Sequence, residues 1–166
     1  MEDAGVPNGV FNVVTGMGAK LGPVLVGAKE TAGVVVTGSV PTGMEVLREA
    51  AQRIVPVTLE LGGKSPNVVF PDANIEKALK GVAFGIFMNA GQMCWAGSRL
   101  LVHESIHDAF VDELAKLAAT WKLGNPLEKD TRMGPLVSMK HRESVLSYVK
   151  AGKEEGARLV TGGTIP

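Results

Sequence analysis

The sequence predicts an α/β protein containing part of a doubly wound parallel sheet. Gly33–Val36 is a run of β-branched residues after a glycine, which is typical of a parallel strand buried on both faces. Further along, Val57, Leu59 and Leu61 alternate with polar residues, as in a strand. Helix-like segments separate the strand-like ones, and this alternation is the pattern of a doubly wound sheet.

The first part of the chain predicts about three strands. Val10–Val14 is β-prone and precedes a helical stretch from about Ala19 to Gly27. After the strand at Gly33–Val36, Ser39 is a plausible N-cap for a second helix. The apolar residues of that helix that fall on one face are Val40, Met44, Leu47, Ala51 and Ile54. In the third strand the alternation places Glu60 on the face opposite Leu59 and Leu61.

Gly62-Gly63 interrupts this pattern, so we predict a boundary there, with one domain over residues 1–61 and another over 62–166. The predicted elements of the second part are a strand at Asn67–Phe70, a helix at Ile75–Met88, a polar loop at Asn89–Ser98, a strand at Arg99–His103, a helix after Ser105, a helix at Met139–Glu154 and a short strand at Arg158–Thr161. Asp72 and Ser105 are the expected caps of the first two helices. The buried stripe expected after Ser105 is Ile106, Phe110, Leu114 and Leu117.

Composition restricts the possible partners. The formal net charge is zero at pH 7, so the chain has no basic excess for nucleic acid. Its longest apolar stretch, Gly81–Ala90, is too short to span a bilayer. A single cysteine fits a reducing compartment, and we expect a cytoplasmic protein. None of the three histidines belongs to a cluster that would bind a metal ion.

Two glycine-containing junctions could bind a phosphate group. Gly18 and Gly22 belong to Gly16-x-Gly18-x-x-x-Gly22, one residue longer than the dinucleotide fingerprint, and such turns also occur where no nucleotide binds. Gly38 and Ser39 start a helix whose free amides and dipole suit an anion such as pyrophosphate. On spacing alone, an ordinary capped helix is the favoured interpretation of Gly38 and Ser39.

Two residues could carry covalent chemistry. Glu60, at a strand end beside two glycines, suits a general base, although it could also be a rim carboxylate paired with Lys64. Cys94 is the only cysteine, and a lone cysteine is more often an inert buried thiol than a nucleophile. Its position in a loop of small and polar residues favours reactivity, which further depends on an activating environment. The neighbouring Trp95 could line a pocket or simply pack.

Taken together, these segments closely resemble the aldehyde dehydrogenase superfamily. Val57–Asn67, which reads VTLELGGKSPN, is similar to the family's glutamate motif, and Gly91–Arg99, which reads GQMCWAGSR, is similar to its cysteine motif. Phe11–Gly16 and Val36–Ser39 also occur in family order, and the separation between Glu60 and Cys94 matches the family. The resemblance covers essentially the whole chain.

The resemblance implies an NAD(P)-dependent oxidoreductase that converts an aldehyde to a carboxylic acid. Cys94 would attack the aldehyde to give a thiohemiacetal and then a thioester, and Glu60 would activate the hydrolytic water. The cofactor, NAD or NADP, would contact the residues Gly18, Gly22, Gly38, Ser39, Gly43 and Leu61. Residues 1–61 would be the C-terminal part of a Rossmann-like cofactor domain, and residues 62–166 the N-terminal part of the α/β catalytic domain.

The resemblance also implies a subunit longer than 166 residues. Family segments that supply an asparagine oxyanion donor and further cofactor contacts have no counterpart in this sequence, so we expect little or no dehydrogenase activity from residues 1–166 alone. A non-catalytic or esterase-only module that keeps the fold is the alternative. The full-length enzyme would act on a small-molecule aldehyde as a homo-oligomer, either a dimer or a tetramer, without nucleic acid or membrane partners.

Overall fold

The computed structural model describes residues 2–165. Contacts divide the chain into two compact units, Met1–Gly62 and Gly63–Pro166. The helices of eight or more residues are α1 (Gly18–Gly27), α2 (Val40–Ala51), α3 (Ile75–Phe87), α4 (His107–Ala119) and α5 (Met139–Glu154). The strands are β1 (Val34–Gly38), β2 (Val57–Leu61), β3 (Pro66–Val69) and β4 (Arg99–Val102). None of the described helices is both long enough and apolar enough to cross a membrane.

Each unit is built on a parallel strand pair joined through a helix. In the first unit β1 pairs with β2 in parallel, and α2 connects them. In the second unit β3 pairs with β4 in parallel, and α3 lies between them in the chain. Parallel neighbours require such a crossover, usually a helix, so the predicted α/β class is confirmed.

The described core of the second unit lies where its strands meet α3 and α4. Val69, Val82 and Phe110 form a buried cluster, and Phe110 is only 1% exposed. Of the predicted stripe, Phe110 belongs to this cluster, and Ile106 and Leu114 pack against it. In the first unit the buried side chains include Val26 and Ala50.

Two of the predicted strands are wrong. Val10–Val14 and Arg158–Thr161 form no strand, and their apolar side chains are exposed, with Val13 at 71%. A β-prone run becomes a strand only when another strand is available to accept its hydrogen bonds, and neither run pairs with a strand among residues 2–165.

The predicted faces of β1 and α2 also need correction. In β1, half-buried and exposed residues alternate, and Val35 is 76% exposed, so this strand is not buried on both faces. In α2 the buried residues are Gly43 and Ala50. The predicted face is instead exposed, and Ile54, at 91%, lies beyond the end of the helix.

Two helix caps are formed by residues other than those predicted. Asn74, and not Asp72, caps α3 by accepting a hydrogen bond from the Lys77 amide at 3.0 Å. His103 accepts from the Ser105 amide ahead of a short 3-10 helix, Glu104–Ile106, which precedes α4. The cap predicted at Ser39 is confirmed.

Candidate active site

The carboxyl end of the β1–β2 pair gathers several of the predicted site residues. Gly38 is in register with Leu61, and Thr37 with Glu60. Ser39 follows Gly38 directly and caps α2, its Oγ accepting from the Thr42 amide at 3.3 Å. In open α/β sheets, ligands bind outside the carboxyl ends of parallel strands. This edge of the first unit therefore has the placement of a binding site.

Gly43 allows α2 to approach β2 closely. It is buried, and a Cβ added to it would lie 2.9 Å from Leu61 Cδ2. A larger residue would require the Leu61 side chain to shift. Gly43 and Leu61 therefore contact each other, and their packing places the start of the helix at the sheet edge.

The start of α2 is suited to an anion. Its first turn carries no acidic residue, and the Ser39 side chain is exposed. The first amides of a helix lack intrahelical partners and lie at the positive end of its dipole. Glu60, on the same edge, is also exposed.

Gly18 and Gly22 both lie on α1, with Gly18 as its first residue. A Cβ added to either glycine would meet no atom within 4 Å, apart from the helix's own neighbouring backbone. Close packing does not require glycine at these positions, in contrast to Gly43. α1 packs against α2 within the first unit.

Cys94 lies on a tight turn in the second unit and is exposed. The Ala96 amide closes this turn by donating to the Met93 carbonyl at 3.2 Å. Behind it, a Cβ added to Gly63 would lie 3.0 Å from the Cys94 carbonyl oxygen. Gly63 therefore lets the backbone of Cys94 approach the segment that leads into β3.

Two amide side chains hold the loop that contains Cys94. Asn67 Nδ2 donates to the Gly97 carbonyl at 3.0 Å. Gln92 Oε1 accepts from the Val137 amide at 2.9 Å, and its Nε2 donates to the Asn89 carbonyl at 3.1 Å. Neither residue was predicted from the sequence to be functional. The available signal for Asn67 was an amide side chain inside an otherwise apolar strand.

The aromatic residues near this loop have different environments. Phe87 packs against Trp121 with ring centroids 5.3 Å apart in an edge-to-face arrangement. Trp95, next to Cys94, is 46% exposed and so remains available to contact a ligand. An open groove of about 890 Å³ in the second unit is lined by Ala90, Met133, Leu136 and Arg142 among others, but not by Cys94.

Within residues 2–165, no group of three or more histidine, cysteine, aspartate or glutamate side chains is arranged to bind a metal ion. Glu60 belongs to the first compact unit and Cys94 to the second.

Comparison with known proteins gives consistent results. The family model described as the aldehyde dehydrogenase family matches residues 1–166. The chain is 46% identical to a betaine aldehyde dehydrogenase of Brucella ovis, over 99% of this chain and 34% of that protein. It therefore spans about a third of the length of the curated relatives that it matches.

Solved structures extend the similarity to the fold. A betaine aldehyde dehydrogenase from Staphylococcus aureus, in complex with NAD+, superimposes with a TM-score of 0.95 and 42% identity, over 99% of this chain and 33% of that one. An NAD-dependent aldehyde dehydrogenase from Sinorhizobium meliloti gives 0.95 and 45%, over 98% and 32%. With a family model that matches the whole chain and solved structures that share its fold, this chain belongs to the aldehyde dehydrogenase family.

Proposed function

We propose that this chain carries the catalytic thiol and the general base of an enzyme that oxidises an aldehyde to a carboxylic acid with NAD or NADP. The observation that carries the proposal is the exposed Cys94, on a turn held from behind by Gly63 and Asn67, within the segment Gly91–Arg99 that resembles the family's cysteine motif. The first unit would be the cofactor-binding part and the second the catalytic part.

Cys94 would act as the nucleophile. Its thiolate sulfur attacks the aldehyde carbonyl carbon, the C–S bond forms, and the carbonyl electron pair moves to oxygen to give a thiohemiacetal. The Cys94 backbone amide is the proposed donor to that oxygen, because it belongs to the same turn as the sulfur. The exposure of Cys94 supports this role, since a substrate can reach the sulfur.

Glu60 would act as the base that activates water. Its carboxylate accepts a proton from water as the hydroxyl adds to the thioester, and the C–S bond then breaks to release the acid and the thiolate. The position of Glu60 at the carboxyl end of β2, opposite Thr37 on β1, supports a role in ligand chemistry.

The carboxyl edge of the first unit fits a dinucleotide. Gly38 and Ser39 would bind a phosphate group through the start of α2, where no acidic side chain opposes it. Gly43 and Leu61 would maintain the packing that holds this helix start in place, and Gly18 and Gly22 would lie along the adenosine side. When bound, the nicotinamide supplies a hydride acceptor, which the conversion of thiohemiacetal to thioester requires.

Acylation of the 166-residue chain by an aryl acetate ester tests both residues. Cys94 would take the acetyl group while the aryl oxide leaves, and intact-mass measurement would follow the acetylated protein. We expect Cys94→Ser to abolish acetylation. We expect Glu60→Gln to slow deacetylation by about 10²-fold or more, as for loss of a general base.

The matched control is Glu30→Gln, which removes an exposed carboxylate of the same unit that pairs with its neighbour Lys29. Equal deacetylation rates in wild type, Glu60→Gln and Glu30→Gln would contradict the proposed base. Acetylation of Cys94 no faster than that of a free thiol would contradict the proposed nucleophile.

The same assay addresses the esterase-only alternative. Acyl transfer needs the thiol, a base and an acyl pocket, and the exposed Cys94 favours it, whereas hydride transfer also needs the complete cofactor site. We expect residues 1–166 alone to hydrolyse the ester slowly and to form little or no NADH from an aldehyde. NADH formation at ordinary enzyme rates would overturn that expectation.

A further inference from the structure

Asn67 links strand β3 of the second unit to the loop that carries Cys94. Its backbone lies in β3, in register with Leu100 of β4, so the residue is anchored in the sheet. Its half-buried side chain donates from Nδ2 to the Gly97 carbonyl at 3.0 Å, across 30 positions of sequence. Removing the side chain would leave the carbonyl of the buried Gly97 without this donor.

Gly97 is shaped to receive this side chain. A Cβ added to it would lie 2.1 Å from Asn67 Nδ2, so no other amino acid fits while the Asn67 amide keeps its place. The Gly97 amide in turn donates to the Gly85 carbonyl of α3 at 3.1 Å. Gly97 is thus held by a strand on one side and by a helix on the other.

The turn that contains Cys94 ends directly before Gly97, which these two contacts hold in place. Its closing hydrogen bond joins Ala96, which is buried, to Met93. Ala96 is the neighbour of Gly97, so the two contacts of Gly97 determine where the turn ends. Gly63 supports the other side, behind the Cys94 carbonyl.

We infer that Asn67 is a positioning residue for Cys94. It orients the Cys94 amide and sulfur through Gly97 and contacts no substrate itself. This inference rests on the proposed role of Cys94. The orientation matters for acyl transfer, in which the backbone amide must point at the developing oxyanion, and a small misplacement of such a donor is costly. It matters little for simple alkylation of the sulfur, which develops no oxyanion.

The contrast between these two reactions is the test. In the full 166-residue chain, we expect Asn67→Ala to slow acetylation of Cys94 by an aryl acetate about tenfold or more, comparable to partial loss of an oxyanion donor. Alkylation by iodoacetamide should change by less than about twofold, because the thiol stays exposed. A variant that merely unfolds would change both rates and would lose its cooperative thermal transition.

Asn12→Ala is the matched control. Asn12 Nδ2 donates to the Gly9 carbonyl at 2.8 Å, which is the same pair of chemical groups on an exposed turn of the first unit. We expect both reaction rates to equal those of the wild type in this variant. An Asn67→Ala variant that acetylates as fast as Asn12→Ala would overturn the inference.

Gly97→Ala disturbs the same contact between Asn67 and Gly97, but from the Gly97 side. Its methyl would displace the Asn67 amide, so we expect it to slow acetylation like Asn67→Ala. In the double variant the methyl has room, and the two effects should not multiply, as expected for residues in direct contact. Multiplicative effects would show that the two residues act independently and would refute the proposed link.

Amide hydrogen exchange separates this inference from the proposed function. If Asn67 holds the turn, Asn67→Ala should speed exchange of the Ala96 and Gly97 amides about tenfold, while Asn12→Ala leaves them unchanged. If wild-type Cys94 is no more reactive than a free thiol, the proposed function fails. The hydrogen-exchange rates of the Ala96 and Gly97 amides would still test the role of Asn67. Unchanged exchange at both amides would reject that role.

Discussion

Three consecutive residues ahead of Cys94 have left-handed backbones. The φ angles are 51° at Asn89, 54° at Ala90 and 72° at Gly91. Glycine adopts this region freely, and asparagine is tolerated there because its short side chain can form local hydrogen bonds. Asn89 does so, its Nδ2 donating to the Gln92 carbonyl at 3.4 Å. Ala90 has no such compensation, so strain is concentrated at this residue.

Replacing Ala90 by glycine should relieve that strain. We expect Ala90→Gly to raise the free energy of unfolding by about 1 kcal/mol, because an alanine in the left-handed region costs more than the extra chain entropy of glycine. Urea denaturation followed by circular dichroism would measure the change.

Ala109→Gly supplies the comparison for this prediction. Ala109 is exposed and lies in the regular helix α4, where glycine should lower the free energy of unfolding by about 0.5–1 kcal/mol. If both glycine variants are destabilised to the same extent, the methyl of Ala90 contributes packing at the edge of the adjoining groove that outweighs its backbone strain.

At the scale of elements, capping residues determine where the helices begin. Ser39 and Ser138 cap α2 and α5, and Asn74 caps α3. The residue predicted to cap α3 was Asp72, another residue type that favours caps. The Ala73 amide donates to the Phe70 carbonyl, forming a turn that delays the helix. That turn decides which of the two candidate side chains reaches the free amides.

An ion pair on α3 makes a contribution to stability that depends on pH. Lys80 Nζ donates to Glu76 Oε1 at 2.6 Å, one helical turn away. This hydrogen bond, and then the positive charge of Lys80, lowers the pKa of Glu76 below 4.5. The pair therefore stabilises the folded chain above that pH, and its contribution is lost as the pH falls through the lowered pKa.

Removing the ammonium group of Lys80 should return the pKa of Glu76 towards its ordinary value. We expect the pKa of Glu76, followed by NMR of its carboxyl carbon, to rise in Lys80→Gln. Lys77→Gln is the control, because adjacent residues on a helix do not face each other. A Glu76 pKa that rises equally in both variants would show that general charge, and not this contact, sets its value.

At the scale of the whole molecule, much apolar surface remains exposed. Val35 on β1 is 76% exposed, and Phe11, before α1, is 60% exposed. Side chains of this kind cost free energy in water and promote association. The exposed face of β1 alternates with a half-buried face that includes Val36.

Neighbouring valines on β1 should therefore respond differently to the same substitution. We expect Val35→Thr to leave the free energy of unfolding within about 0.5 kcal/mol of wild type and to reduce binding of an apolar fluorescent dye. Val36→Thr should cost about 1–2 kcal/mol, because it places a hydroxyl against the packed side of the strand. Denaturation and dye titration of both variants would decide this, and equal costs at the two positions would contradict the observed alternation.

Local patterns in the sequence were sufficient for the helices and for the central strands. The bounds of α5, the cap at Ser39 and the outward placement of Glu60 on β2 all depend on residues close together in the chain. Family motifs added the identities of Cys94 and Glu60, whose catalytic roles stay proposals. The buried stripe of α4 was also predictable. Apolar residues at helical spacing, such as Phe110 and Leu114, share one face of the helix, and that face is buried in most packing arrangements.

Tertiary structure decided the features that depend on groups far apart in the sequence. Val10–Val14 has strand propensity but no partner strand among the described residues, and α2 buries Gly43 where its larger apolar residues predicted another face. The contact between Asn67 and Gly97 joins a strand to a loop 30 positions away. By itself, the sequence determined the family, the helices and the chemistry of the side chains, because these follow from residue type and local spacing. The placement of the Cys94 turn on Gly63, Asn67 and Gly97 required the fold, because close approach between distant segments leaves no local pattern.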